Sequence, residues 1–257
     1  MHSDTFGSGT PVLLLHGAGV SGWMWRPVLE HLGRDVTAIV PDLPGFGRTA
    51  HRPYVSHQET VSELADLIRR TAPRGVHVVG FSLGAQLAIL LASHHPDLVR
   101  GAVVVSAETT PAPMPGTTLA LVSATASLAR RAWFARAQAR QLAIPADLTP
   151  DYVRDSAATT RETLVASVGE NIRFTLPSAW STVSTPVAVL VGEKERRLMR
   201  KSARITSDRV PGATLHVVEG AGHDIPFTRP AELVTVLRNT SGLPVGQGRT
   251  AEPDSRD

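Results

Sequence analysis

Six short apolar runs set the layout of this chain: "PVLLLHG" (11–17), "VTAIVPD" (36–42), "VHVVG" (76–80), "VRGAVVVSA" (99–107), "PVAVLVG" (186–192) and "ATLHVVEG" (213–220). They are rich in β-branched residues and nearly continuous rather than alternating, the pattern of strands covered on both faces. Helical patterns fill the spaces at about 23–32, 58–72, 83–94, 200–208 and 230–239. Strands alternating with helices predict an α/β fold, a mostly parallel sheet flanked by helices. With 257 residues, 42% of them hydrophobic, the chain is long enough for one such core carrying an insertion.

The alternation stops between Glu108 and about Thr185. Ala/Arg-rich helical sequence (118–143) and a second helical run (150–169) take its place, with no strand between them. The expected organisation is a core built from 1–107 and 186–240, a helical cap inserted at 108–185, and a polar tail at 241–257. The tail has Gly and Pro but no periodicity, which predicts disorder. From Gly75 through Ser93 no charged residue occurs, a length approaching the roughly 20 residues of a bilayer span. Glycines, Ser82 and Gln86 divide that run into a strand and a helix, so no stable membrane insertion is expected.

Composition narrows the function. Cysteine is absent, which removes disulfides, thiolate metal sites and a cysteine nucleophile and agrees with a cytoplasmic location. The net charge is only +3, and the small basic excess is spread along the chain, so no nucleic-acid partner is expected. The first ten residues show neither a basic n-region nor an apolar h-region. No H-E-x-x-H metal motif occurs, and "HGAG" (16–19) lacks the spacing of a dinucleotide fingerprint. Neither metal nor cofactor is expected.

The chemistry concentrates at "GFSLG" (80–84), a G-x-S-x-G pattern that follows a strand and opens a helix. A sharp turn there lifts the Ser82 hydroxyl above the sheet edge, and the glycines leave room where side chains would strike neighbouring backbone. Taken alone the pattern also fits an N-capping serine. Three further motifs stand in order around it: "HGAG" (16–19), "DLPGFGRT" (42–49) and "GAGHDIPF" (220–227). Together they resemble the α/β-hydrolase superfamily, in particular a serine hydrolase with a helical cap, over about Thr10 to Asn239. The segment before Thr10 leaves little material for the hairpin that leads the sheet in that family.

The resemblance implies Ser82 as nucleophile and His223 as the base that takes its proton. It puts the acid in the loop after "VAVLVG", where Glu195 stands at a position that usually holds aspartate. Glu193 is the near alternative and Glu108, at the preceding strand end, the distant one. Backbone amides of Leu83 and Ala18 would form the oxyanion hole. His16 and Asp42 read as loop-fixing residues.

The expected reaction is hydrolysis of a carboxylic ester or lactone through an acyl-enzyme on Ser82. Alternatives on the same scaffold are C–C hydrolysis, perhydrolase or haloperoxidase-like chemistry, a lyase, or a ligand-binding receptor. The expected partner is a small molecule with an apolar part. Trp133, Phe134 and Trp180 either wall its pocket or pack the cap on the core, and the same choice holds for Trp23 and Trp25. Arg130, Arg131, Arg136 and Arg140 lie in an acid-free stretch (109–146), which reads as a solvated helix face, or as a surface that steers an anionic substrate or touches a membrane.

Overall fold

The computed structural model describes residues 1–244. Seven strands form one sheet in the order β1-β3-β2-β4-β5-β6-β7: β1 (His2–Phe6), β2 (Thr10–Leu15), β3 (Val36–Asp42), β4 (Val76–Phe81), β5 (Val99–Val105), β6 (Val187–Gly192) and β7 (Thr214–Val218). Every pairing is parallel except that of β1 with β3. The strand absent from the sequence reading is β1, which runs antiparallel in register from His2 opposite Asp42 to Phe6 opposite Ala38. Five polar and mixed residues carried no apolar signal, yet they complete a sheet edge. The Gly7–Gly9 turn makes it possible, because a Cβ on Gly7, at φ +75°, would sit 2.3 Å from the Val36 carbonyl oxygen.

The helices are α1 (Arg26–His31), α2 (His57–Thr71), α3 (Leu83–His94), α4 (Pro115–Ala129), α5 (Ala132–Gln141), α6 (Thr149–Ala158), α7 (Arg161–Arg173), α8 (Arg197–Asp208), α9 (Ile225–Thr228) and α10 (Pro230–Ser241). Alternate strand residues feed the two faces of the sheet. Leu13, Leu15, Ile39, Val78, Val104 and Val189 belong to one buried cluster, and Val12, Leu14, Val40, Val79, Val103 and Leu190 to the other. Each such side chain contributes about 1.5–3 kcal/mol by leaving water, which explains why the runs are apolar at both parities. β7 differs: it lies at the edge, and Val217 is 52% exposed.

Each of the two expected helical runs between β5 and β6 is split. The first breaks at Arg130–Arg131 into α4 and α5. The second breaks at Thr159–Thr160, where the Thr160 hydroxyl caps α7 by accepting from the Thr163 amide. A 3₁₀ turn at Ser178–Thr182 returns the chain to the sheet. At the other end α10 continues to Ser241, into the expected tail, and Leu243 packs against the core. The rest of the tail, 245–257, lies outside the described residues. No helix among the described residues is long and apolar enough to cross a membrane.

Candidate active site

β4 runs straight into α3 through Ser82, whose backbone is forced to φ +55°, ψ −115°. A side chain other than glycine's is strained there. The flanking glycines answer a measurable demand: a Cβ on Gly80 would lie 2.1 Å from the Gly84 carbonyl oxygen, and one on Gly84 would lie 2.2 Å from that of Leu15. The turn is pinned by the Ser82 amide, which donates to the Val105 carbonyl at 2.9 Å. Leu83 opens α3, so its amide is one of the first-turn donors without an intrahelical acceptor.

The loop after β2 closes over this corner. A Cβ on Gly17 would meet Ser82 Cβ at 3.4 Å, so the "HGAG" backbone passes beside the serine, with Ala18 next in line. His16 holds that loop from below. The Leu43 amide donates to His16 Nε2 at 2.9 Å, which leaves Nδ1–H to donate to the Gly17 carbonyl at 2.8 Å. Full burial pushes the His16 pKa down, in keeping with a neutral ring. Asp42 secures the adjoining segments, accepting from the Gly22 amide and from the backbone and side chain of Arg48.

His223 follows β7 on the "GAGHD" loop and lays its ring against Phe81, with centroids 4.8 Å apart. Its Nδ1 faces Glu195 Oε2 at 3.1 Å. The Glu195 side chain is 2% exposed, and its other oxygen accepts from Ser106 Oγ at 2.5 Å and the Gly192 amide at 3.3 Å. Glu193 is exposed and accepts from the Gly220 amide instead. Glu108 makes no hydrogen bond to His223. Its Oε1 is buried without a partner among the described residues, and burial pushes its carboxyl pKa up against the pull of Arg196 and His223. No hydrogen bond joins Ser82 Oγ to His223 here. Such bonds are commonly loose before substrate binds.

A cleft of about 290 Å³ opens beside the loop, lined by Ala18, Gly19, Phe134, Tyr152, Ser156 and Leu164 among others. Phe134 therefore stands in a pocket wall. Trp133 is 64% exposed, while Trp180 and Trp25 are buried in the core. A larger cleft of about 700 Å³ lies beyond the Ser21–Trp23 turn. Its charged groups are already paired, Asp4 with Arg48 and Asp151 with Arg26 and Arg154.

A sequence model described as the alpha/beta hydrolase family matches residues 12–236, most of the chain. The chain belongs to the α/β-hydrolase family. Among curated relatives, this α/β hydrolase is 38% identical over 106 residues to a pimeloyl-[acyl-carrier protein] methyl ester esterase of Vibrio vulnificus, but the match spans 41% of the chain and 40% of that relative. It is 24% identical over 268 residues to the enzyme of the same name from Aeromonas hydrophila, covering 93% of the chain and 98% of the relative. Its fold matches an esterase from Exiguobacterium antarcticum with a TM-score of 0.79 at 18% identity, over 93% of this chain and 94% of that one.

Sequence reasoning missed several residues around the site of this α/β hydrolase. Ser106, at φ +55° and 1% exposed, holds Glu195. Gln86, one turn below Ser82 and wholly buried, donates to the carbonyls of Glu108 and Asn171 and accepts from His57 Nε2. Those carbonyls stand just after β5 and near the end of α7, at the two ends of the helical block. The one available signal was an amide inside an otherwise apolar helix.

Proposed function

We propose that this chain is a serine hydrolase that cleaves a carboxylic ester or lactone through an acyl-enzyme on Ser82. The observation that carries the reading is the 3.1 Å approach of Glu195 Oε2 to His223 Nδ1. With Nδ1–H donating to the carboxylate, the neutral imidazole keeps its lone pair on Nε2, the atom that must take a proton. Ser82 Oγ attacks the carbonyl carbon as His223 Nε2 removes its proton. The amides of Leu83 and Ala18 receive the oxyanion, and Glu195 stabilises the imidazolium. His223 then protonates the leaving alkoxide, and a water deprotonated by the same nitrogen releases the acid.

The helical block from α4 to α7 serves as the cap, and its cleft takes the acyl group. A space of about 290 Å³ is at the small end for ligand sites and favours short or medium acyl chains. Relatives named as methyl ester esterases make methyl esters the first substrates to try.

The test pairs turnover of chromogenic and methyl esters from acetyl to long chains with fluorophosphonate labelling, in wild type and Ser82→Ala. Turnover and labelling that both vanish in the variant are the expected result. Turnover that survives Ser82→Ala would overturn the reading. Product analysis with diketone substrates and with peroxide separates the ester reaction from C–C cleavage and perhydrolysis.

A further inference from the structure

Asp155 is an acid in an unusual place. It sits on α6 in the helical block, is 3% exposed, and reaches across 134 residues of sequence into the loop that follows the oxyanion backbone. Its Oδ2 accepts from Ser21 Oγ at 2.6 Å and from Trp23 Nε1 at 2.7 Å. Among the described residues Oδ1 meets only Arg154, at 3.3 Å and from a largely solvent-exposed side chain. A carboxylate held this deep is costly unless its acceptors are well used, and both strong donors come from the Ser21–Trp23 turn.

That turn lies two residues beyond Gly19. Asp42 grips it from the sheet through the Gly22 amide at 2.9 Å, so the turn is clamped between one acid of the core and one of the helical block. Trp23 extends the connection. It stacks on Phe227 with centroids 6.4 Å apart and meets Tyr152 edge-on. Phe227 lies four residues after His223, on the short helix α9 that ends its loop. The stripe of α6 that carries Asp155 also carries Tyr152 and Ser156, which with Thr159 just past the helix end line the cleft beside Ala18 and Gly19. At i, i+3 and i+4, Tyr152, Asp155 and Ser156 share one face of the helix.

We propose that Asp155 is a positioning residue for catalysis: through Ser21 and Trp23 it sets the backbone of the Ala18–Gly19 loop and, through Trp23 and Phe227, steadies the loop of His223. The proposal rests on the serine-hydrolase reading. It makes α6 a fixed wall of the active site, because lifting it would strip a buried carboxylate of the two donors from the Ser21–Trp23 turn. Small displacements of an oxyanion donor weaken transition-state binding more than ground-state binding, so the loss should fall on kcat.

The experiment measures kcat and KM per labelled active site for Asp155→Asn, Asp155→Leu, Ser21→Ala, Trp23→Phe and the double variant Asp155→Asn/Trp23→Phe, each well below its melting temperature. Asparagine keeps the shape, and its one oxygen can still accept both bonds, but without the charge, and its amide meets the Arg154 guanidinium donor to donor. The expected result is a kcat lowered about tenfold or more in Asp155→Asn with KM changed less than about threefold. The double variant should be no worse than the poorer single one, as coupled residues require. If Asp155→Leu does not fold, Asp155→Asn and Ser21→Ala carry the comparison. A lowered melting temperature with wild-type kcat per site would overturn the proposal, as would strictly additive losses. Ser82→Ala run alongside separates the cases: activity there defeats the serine mechanism itself, whereas a dead Ser82→Ala with a fully active Asp155→Asn defeats only the role of Asp155.

Discussion

Ser106 Oγ donates to Glu195 Oε1 at 2.5 Å, joining the end of β5 to the loop after β6 across 89 residues of sequence. The bond orients the carboxylate so that its second oxygen meets His223 Nδ1. Ser106 accepts a left-handed backbone, φ +55°, to do so.

Ser106→Ala should therefore lower kcat by about tenfold, the value of one hydrogen bond to a charged group. Glu195→Gln should cost about a hundredfold or more, because an amide neither stabilises the imidazolium nor holds its tautomer. Glu108→Gln should stay within about threefold of wild type, since its carboxyl makes no bond to the imidazole. Steady-state kinetics normalised to labelled sites checks all three, and a larger loss for Glu108→Gln than for Glu195→Gln would reverse the assignment of the acid.

Gln86→Met keeps volume but removes an amide that satisfies the carbonyls of Glu108 and Asn171 and the Nε2–H of His57. Stranding buried polar groups should destabilise the fold by about 2–4 kcal/mol. Urea unfolding measures it. A midpoint equal to that of wild type would mean that the two junctions of the helical block do not depend on this side chain.

Stability should fall as the solution becomes mildly acidic. His16, His57 and His77 are buried, and burial lowers each below the ordinary value of 6.5. The unfolded chain then binds protons that the folded chain refuses, so their contribution is whole above 6.5 and is lost as the pH falls from there through the lowered folded values. Unfolding midpoints taken from about pH 8 to about pH 5 should decline steadily below the histidine range. A level profile would contradict this.

Phe134 and Trp133 are neighbours with different surroundings: one lines the cleft and the other is 64% exposed. Phe134→Ala should enlarge the cleft and move the preferred acyl chain upward in length, with about a 10–200-fold change in relative kcat/KM for the affected chains. Trp133→Ala should leave the preference unchanged. A chain-length series on both variants gives the comparison directly.

Local physics made much of this protein legible in its sequence. Apolar runs of strand length, the glycines that free the corner at Ser82 and the chain order of the four motifs each depend on residues close together in the chain, so the sheet, the elbow and the loops that hold Ser82 and His223 could be read in advance. What the tertiary structure decided are polar pairings over long separations. Glu195 rather than Glu108 meets His223 because Ser106 and the Gly192 amide hold it there. Asp155 reaches Ser21 and Trp23, and Gln86 reaches both ends of the helical block. β1 also escaped notice, since an edge strand of mixed residues is defined by the partner it pairs with. A hydrogen bond between residues a hundred positions apart leaves no periodicity behind, and only the folded backbone brings its two ends together.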